Sequence, residues 1–327
     1  MNIKSKIKII LGKYPTVQNL VRVVYVAIMH PDRLERKKHF GELNNNKTIY
    51  VIRPNTDDGV QGLMSLFVQA LRKIDYAKRM NYIPYVDFKK YKTQYSDGKD
   101  NAWEYFFRQP ADCEYEEVYK SKNVILSGAS LVRHEDLSLY KGSIFFNGEL
   151  CRKAHEIITD NIKYSSAVMS LYEAEDRSLN VEDCLGIYMR GTDYVKLKPT
   201  GEYVQPNIEE VIKKINEFSK LYNIHRYFLV TEDYTYYSQL KTEYGDDLHL
   251  VSYDSFIKDY DGQDFLSKSG VLKRDKKARG MEYLVKILLL SQCKYLVSSI
   301  TFGSIAAYAI NGGKYEDKYI FDLGLYK

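Results

Sequence analysis

The sequence predicts an α/β protein built from two domains with mainly parallel sheets. Three observations carry that expectation. The chain has 327 residues, about twice the usual domain length. Between residues 48 and 87 a β-branched run, a Gly-containing loop, an amphipathic helix and a second strand follow one another, which is the βαβ unit of a parallel sheet. The same plan returns after residue 184. With 45% apolar and 28% charged residues, the chain has the balance of an ordinary globular protein, which excludes wholesale disorder, a fibrous repeat and a disulfide scaffold.

In order, Thr48–Arg53 (TIYVIR) reads as a strand, and Pro54–Gly59 as a loop of turn-forming residues. From Gly62 to Asn81, Leu63, Leu66, Phe67, Ala70, Leu71, Ile74 and Ala77 recur at three- and four-residue steps and draw one apolar helix face. Ile83–Asp87 is a short strand, and Val124–Leu126 and Ser143–Phe146 read as two more. The join between domains falls around 150–182. Cys184–Met189 (CLGIYM) is a buried strand, followed by a loop over Arg190–Gln205. Asn207 caps the next helix, with Glu209 and Glu210 in its first turn and Ile208, Val211, Ile212, Ile215 and Phe218 inside. Arg226–Thr231 is a strand and Tyr234–Tyr244 a helix. Leu248–Val251, Tyr295–Ser298 and Tyr319–Phe321 complete the strands, with helices over Gly280–Cys293 and Gly303–Ile310. The expected organisation is a basic helical segment over 1–40, an α/β domain over 41–180 and a Rossmann-like domain over 181–327.

The charge is concentrated. Residues 1–40 hold nine Lys and Arg against Asp32 and Glu35, a charge of +7, in a chain whose total is +5, so residues 41–327 sum to −2. A nearly neutral body argues against a broad nucleic-acid footprint. The longest apolar run near the N-terminus, Val23–Met29, has seven residues, far short of the ~20 that span a bilayer. Lysines at 4, 6 and 8 interrupt what a signal peptide would need. Such a segment either lies on an anionic membrane surface or docks on its own domain with its lysines facing water. Cys113, Cys151, Cys184 and Cys293 form no CxxC, and the six histidines form no HExxH. Four buried, reduced thiols, a cytoplasmic location and no metal site are expected.

Ligands of doubly wound sheets sit at the carboxyl ends of the strands. Three polar clusters fall at such ends: Arg190-Gly191-Thr192-Asp193-Tyr194, Thr231-Glu232-Asp233, and Ser298 through Ser304, which opens a helix. An arginine there offers a fixed fork of donors for a diphosphate. The adjacent glycine lets a ligand approach the backbone, and hydroxyls with free N–H groups at a helix start form an anion site. Each cluster alone also reads as a turn or a helix cap; together they describe a pocket for a nucleotide with two phosphates.

The order Tyr188-Met189-Arg190-Gly191-Thr192-Asp193, Val230-Thr231-Glu232-Asp233, and Leu288-Leu289-Leu290-Ser291-Gln292-Cys293 leading into Ser298–Ser304 resembles the fucosyltransferase superfamily. That superfamily includes the nodulation-type and core α1,6-, bacterial α1,2- and protein O-fucosyltransferases. The resemblance covers about residues 184–305. It implies a GT-B fold of two facing Rossmann-like domains and an inverting, metal-independent transfer. The donor is a nucleotide sugar, usually GDP-fucose, which serves as co-substrate with no further cofactor. The second domain would hold the donor and the first the acceptor. By position, Arg190 matches the arginine that grips the diphosphate and steadies the leaving group, and Asp193 the aspartate that orients it. Tyr188, Gly191, Thr231, Glu232, Asp233, Ser299, Thr301, Gly303 and Ser304 fall on the donor side. Asn55, Asp58 and Gly59 would line the cleft from the first domain.

Three positions depart from the family pattern. Tyr188 stands at a histidine, Gly191 at what is often a second arginine, and Lys286 at an aspartate associated with guanine recognition. Glu282, one helical turn earlier, either replaces that carboxylate or pairs with Lys286 at i,i+4. Glu202 is the candidate base for the acceptor hydroxyl, with Asp58 the other option. The acceptor implied is a glycan or lipid-linked glycan of a surface polysaccharide, at the inner face of the membrane. Asp259-Tyr260-Asp261 is a DxD spacing that reads as chance, and Lys273–Arg279 reads as a solvated loop or a flap over phosphates. Transfer from a different nucleotide sugar, transfer of a sulfate or phosphate derivative, and a silent binding protein remain as alternatives.

Overall fold

The computed structural model describes residue 21 and residues 24–55, 60–128, 138–266 and 275–327. Two sheets organise the chain. The first contains β1 (Arg36–Lys38), β2 (Ile49–Ile52), β3 (Ile83–Val86) and β4 (Val124–Leu126), in the order β1-β4-β2-β3. Its β2, β3 and β4 run parallel, and β1 is antiparallel to β4. The second contains β5 (Leu185–Tyr188), β6 (Tyr227–Val230), β7 (Leu248–His249), β8 (Tyr295–Ser299) and β9 (Asp317–Phe321). All of its pairs are parallel, in the order β7-β6-β5-β8-β9. The order turns back on itself at β5 and β8, so the crevice of this sheet opens between their carboxyl ends.

Among the described residues, seven longer helices and two short ones connect the strands: α1 (Leu63–Arg79), α2 (Gly148–Asn161), α3 (Ser166–Leu179), α4 (Thr192–Leu197), α5 (Ile208–Tyr222), α6 (Tyr234–Tyr244), α7 (Lys276–Leu290) and α8 (Phe302–Asn311), with a single further helical turn at Tyr115–Val118 between β3 and β4. Alternation along β5 decides the layers. Leu185 and Ile187 face Val211, Ile215 and Leu240 of α5 and α6, while Tyr188 faces the other way. On that second face a single core runs from Tyr50 and Ile52 of β2, through α1, to Leu284–Leu290 of α7 and Ile305–Ala309 of α8. Helices α1, α2, α3, α7 and α8 pack on one another and fill the space between the two sheets. Local signals fix their ends: Asn147 caps α2, Ser165 caps α3, and Asn207 with Glu210 forms a capping box on α5.

Several expectations change. Ser143–Phe146 is no strand: Gly142–Phe145 forms a 3₁₀ turn, and Phe145 packs on Tyr308 with ring centroids 4.9 Å apart. A short apolar run is the pattern that periodicity alone cannot assign. The Arg190–Gln205 stretch is not all loop, since α4 occupies Thr192–Leu197. Asp275 accepts from the Ala278 N–H (2.8 Å) and starts α7 at Lys276, so 275–279 is a helix start and not a loop; Lys273 and Arg274 lie outside the described residues. Residues 24–29 are helical, but 36–38 form β1, and residues 1–20, 22 and 23 lie outside the described residues. All four cysteines are buried and free; burial pushes the thiols of Cys151 and Cys184 up to about 11. Among the described residues no helix is long and apolar enough to cross a membrane.

Candidate active site

The three polar clusters lie side by side at one edge of the second sheet, because β5 pairs with both β6 and β8 in register: Tyr188 is opposite Val230 on one side and Ser298 on the other. Arg190 follows the central strand directly. Its Nη2 donates to both oxygens of Asp193 (3.1 and 3.3 Å), its Nε lies 3.5 Å from Glu232 Oε1, and its guanidinium sits 4.8 Å from the centroid of the Tyr194 ring. Burial alone would lower the Arg190 pKa, but Glu232 and Asp193 outweigh it and hold the group well above its ordinary value. The side chain remains 27% exposed, so a charged, oriented fork still reaches the crevice.

The second cluster shapes the first. Glu232 accepts from the Gly191 N–H (3.1 Å) and the Thr192 hydroxyl (2.8 Å), and Asp233 accepts from the Thr192 N–H (2.6 Å) while capping α6. The Thr231 hydroxyl accepts from the Asp233 N–H (3.1 Å). These bonds hold Thr192 at φ +39°, a left-handed conformation that costs a β-branched residue energy and needs neighbours to enforce it. Gly191 has no alternative: a Cβ there would lie 2.4 Å from the Asp233 side chain. Glu232 and Asp233 are thus supports of the arginine loop, and the second arginine of the family pattern has no room here.

At the third cluster Thr301 and Ser304 cap α8 reciprocally, and the Ser304 hydroxyl also donates to Ser299 O (2.7 Å). Their side chains are occupied; what α8 offers a ligand is its first N–H groups and the positive end of its dipole. Ser299 is fully buried, and its hydroxyl has no hydrogen-bond partner among the described residues. Gly303 admits a pair of phenols to the helix start. The hydroxyls of Tyr188 and Tyr283 lie 2.9 Å apart, and a Cβ on Gly303 would lie 2.3–2.4 Å from both. Burial raises the pKa of both tyrosines, which keeps them neutral donors beside Arg190.

Glu202 feels the Arg190 charge and is bonded by Tyr194, yet burial is the larger influence and raises its pKa above the usual carboxylate range. The strand-like stretch 324–326 holds it in place: Tyr326 N donates to Glu202 O (2.9 Å), Val204 N to Gly324 O (2.9 Å), and Tyr203 bridges Leu325.

Other candidates are placed elsewhere. Asn55 accepts from Lys73 Nζ (2.6 Å), and its N–H donates to Gln69; Asp58 and Gly59 lie outside the described residues. The Glu282 carbonyl accepts from the Tyr253 hydroxyl (3.3 Å). Lys286 forms an ion pair with Asp254, a carboxylate only 4% exposed whose Oδ2 has no hydrogen-bond partner among the described residues. Burial raises the Asp254 pKa against the pull of Lys286. Asp259 and Asp261 are exposed on either side of buried Tyr260, and Asp261 accepts from the Gln263 N–H (3.0 Å). Sequence reasoning missed Tyr283, Asp254 and Tyr95, which lies close enough to Arg279 and Arg190 to feel their charges. Each sits far in sequence from its partner, so no local signal marks it.

No protein-family model matches the chain, and no curated protein matches it. Among solved structures it is similar to the fucosyltransferase NodZ from Bradyrhizobium, at 14% identity and a TM-score of 0.43, over 80% of this chain and 92% of that one. It is similar to an Arabidopsis thaliana FUT1 mutant in complex with GDP, at 11% identity and a TM-score of 0.46, over 86% and 72%. It is also similar to POFUT1 in complex with GDP-fucose, at 9% identity and a TM-score of 0.48, over 87% and 100%. The likeness is one of overall course between an α/β chain with two sheets and three fucosyltransferase structures.

Proposed function

We propose that the chain is an inverting, metal-independent glycosyltransferase that moves fucose from GDP-fucose to a glycan acceptor in surface polysaccharide biosynthesis. The observation that carries this reading is the placement of Arg190: charged, aimed by Asp193 and Glu232, and at the switch point next to the start of α8. Departure of a nucleoside diphosphate builds negative charge, and a preorganised guanidinium beside helix N–H groups offsets it without reorganising. In this reading residues 181–327 hold the donor and residues 41–180 face the acceptor. The acceptor is a glycan on a lipid carrier, and the basic N-terminal segment meets an anionic membrane from the cytoplasmic side. Calorimetric titration with GDP, UDP, CDP and ADP, each with and without manganese, tests the donor. GDP binding that manganese does not change is expected; binding of none of the four would sink the reading.

One observation favours a second donor. Lys286, which stands at the position linked in the family to guanine recognition, is held in an ion pair with Asp254. Preference for another base in the same titration would keep glycosyl transfer and discard fucose.

Glu202 is the base in this mechanism. A base works deprotonated, so transfer falls as pH drops through its pKa, and because that pKa is raised, the fall begins above the ordinary carboxylate range. Glu202→Gln is expected to lower kcat by roughly 10²–10⁴-fold and to flatten the acidic limb of the pH–kcat profile. A variant that keeps the wild-type limb would assign the base to another group.

A further inference from the structure

One proton at the end of β5 is left over. The hydroxyls of Tyr188, which closes β5, and Tyr283, in the middle of α7, lie 2.9 Å apart. A bond between two hydroxyls uses one of their two protons, and the second needs an acceptor of its own. Burial raises the Tyr188 pKa, and Thr301 pulls against it, as a hydroxyl that donates does. The Thr301 oxygen already accepts from the Ser304 N–H (3.3 Å) at the cap of α8, which leaves its proton to give. Glu232 is near enough for its charge to act on both phenols, but it is bonded to Arg190, Gly191 and Thr192. Among the described residues no carbonyl or carboxylate accepts from either phenol.

Burial gives the pair a direction. Tyr188 is 3% exposed, whereas Tyr283 is half-buried, so the spare proton belongs to Tyr283, with Tyr188 donating to it. The order is Thr301 to Tyr188 to Tyr283, and each donor in such a chain polarises the next. The Tyr283 hydroxyl lies over Gly303, the second residue of α8, so close that no side chain fits there. The leading N–H groups of a helix have no partner within it, and the Arg190 charge acts on both phenols. A phenol, a helix start and a guanidinium thus meet at one place.

We propose that the Tyr283 hydroxyl donates to an oxygen of a diphosphate held between Arg190 and the start of α8, with Tyr188 and Thr301 as positioning residues behind it. A diphosphate offers more acceptor oxygens than one guanidinium can meet, and part of the Arg190 fork is taken by Asp193 and Glu232. The phenol adds a directed donor there. Burial raises its pKa and keeps it protonated at neutral pH. That the diphosphate belongs to a nucleotide sugar rests on the glycosyltransferase reading; that the phenol donates to an oxyanion does not.

Calorimetry on the full chain at neutral pH, with inorganic pyrophosphate and with GDP, tests the donor. Tyr283→Phe keeps the ring and removes the proton; it is expected to melt close to wild type and to weaken both ligands by about tenfold. Tyr188→Phe leaves that proton in place but unaimed, and is expected to weaken both by a smaller factor. Unchanged affinity for both ligands in Tyr283→Phe overturns the proposal and leaves the Arg190 reading standing. A loss for GDP with none for pyrophosphate would assign the hydroxyl to the nucleoside and overturn the diphosphate contact. Loss of pyrophosphate affinity in Tyr283→Phe, with no nucleotide bound by the wild type, keeps the contact and removes only its tie to glycosyl transfer. Binding of neither ligand by the wild type overturns both. Ultraviolet difference spectra of the unaltered chain decide the matter should Tyr283→Phe unfold. An anion that accepts from a phenol shifts tyrosine absorption to longer wavelength, and pyrophosphate that binds without this shift overturns the contact.

Discussion

Replacing Arg190 by alanine is expected to slow sugar transfer on the order of a thousandfold, a barrier increase of about 4 kcal/mol. In the proposed mechanism the group lost is the one that meets charge on the departing diphosphate, and water entering in its place is neither fixed nor charged. The substitution also strands Asp193, which is only 2% exposed and accepts from the Leu266 N–H (3.1 Å) as well as from Arg190. An uncompensated carboxylate there costs stability, so alanine alone would confuse folding with chemistry. Arg190→Lys keeps the charge and gives up the planar fork. It is expected to melt close to wild type and still transfer more than about tenfold more slowly. Rates of product formation together with thermal melts decide between the two effects. Wild-type rates in both variants would remove Arg190 from the mechanism.

Gly191→Ala is expected to be the most damaging small substitution in the site. Its methyl group would meet Asp233 Cβ and Oδ2 at 2.4 Å, and Asp233 cannot move aside cheaply, because it holds the Thr192 N–H and the first turn of α6. Overpacking of this kind costs about 3 kcal/mol, which for a chain of this size lowers the melting temperature by several degrees. The arginine loop would shift with Asp233, so donor affinity is expected to fall as well. Differential scanning calorimetry and nucleotide titration read the two effects. An unchanged melt would mean that the contact relaxes and that the loop is less constrained than its bonds indicate.

Much of the fold was legible because its strands are apolar and its helices amphipathic. Ile49–Ile52, Ile83–Val86 and Tyr227–Val230 lie inside runs of β-branched and aromatic residues, and α1 and α5 carry clear apolar faces. The elements that were not legible lack such patterns. Strand β1 is Arg-Lys-Lys, exposed at every residue, and exists because β4 offers it an edge. Helix α4 begins at Thr192 in a left-handed conformation that Glu232 and Asp233, about forty residues on, hold through hydrogen bonds. The candidate site divides in the same way. Arg190, Asp193 and the start of α8 could be placed from strand ends, since a parallel sheet puts its loops on one edge. The contact of Tyr188 with Tyr283 and Gly303, and the pairing of Lys286 with Asp254, span 95 and 32 residues of sequence for the bonded pairs and belong to packing alone.

The helical layer between the sheets bears on how a ligand gets in. In a molecule whose halves meet across a thin polar interface, one half swings away and the crevice gapes. Here α1 packs on α8, α2 on α8 and α3 on α7, within one apolar core that reaches from β2 to β6. Prising that layer apart costs about 2.5 kcal/mol for every 100 Å² of apolar surface wetted. In the proposed enzyme, entry and release at Arg190 would therefore fall to the loops beyond the strand ends rather than to a hinge between the sheets.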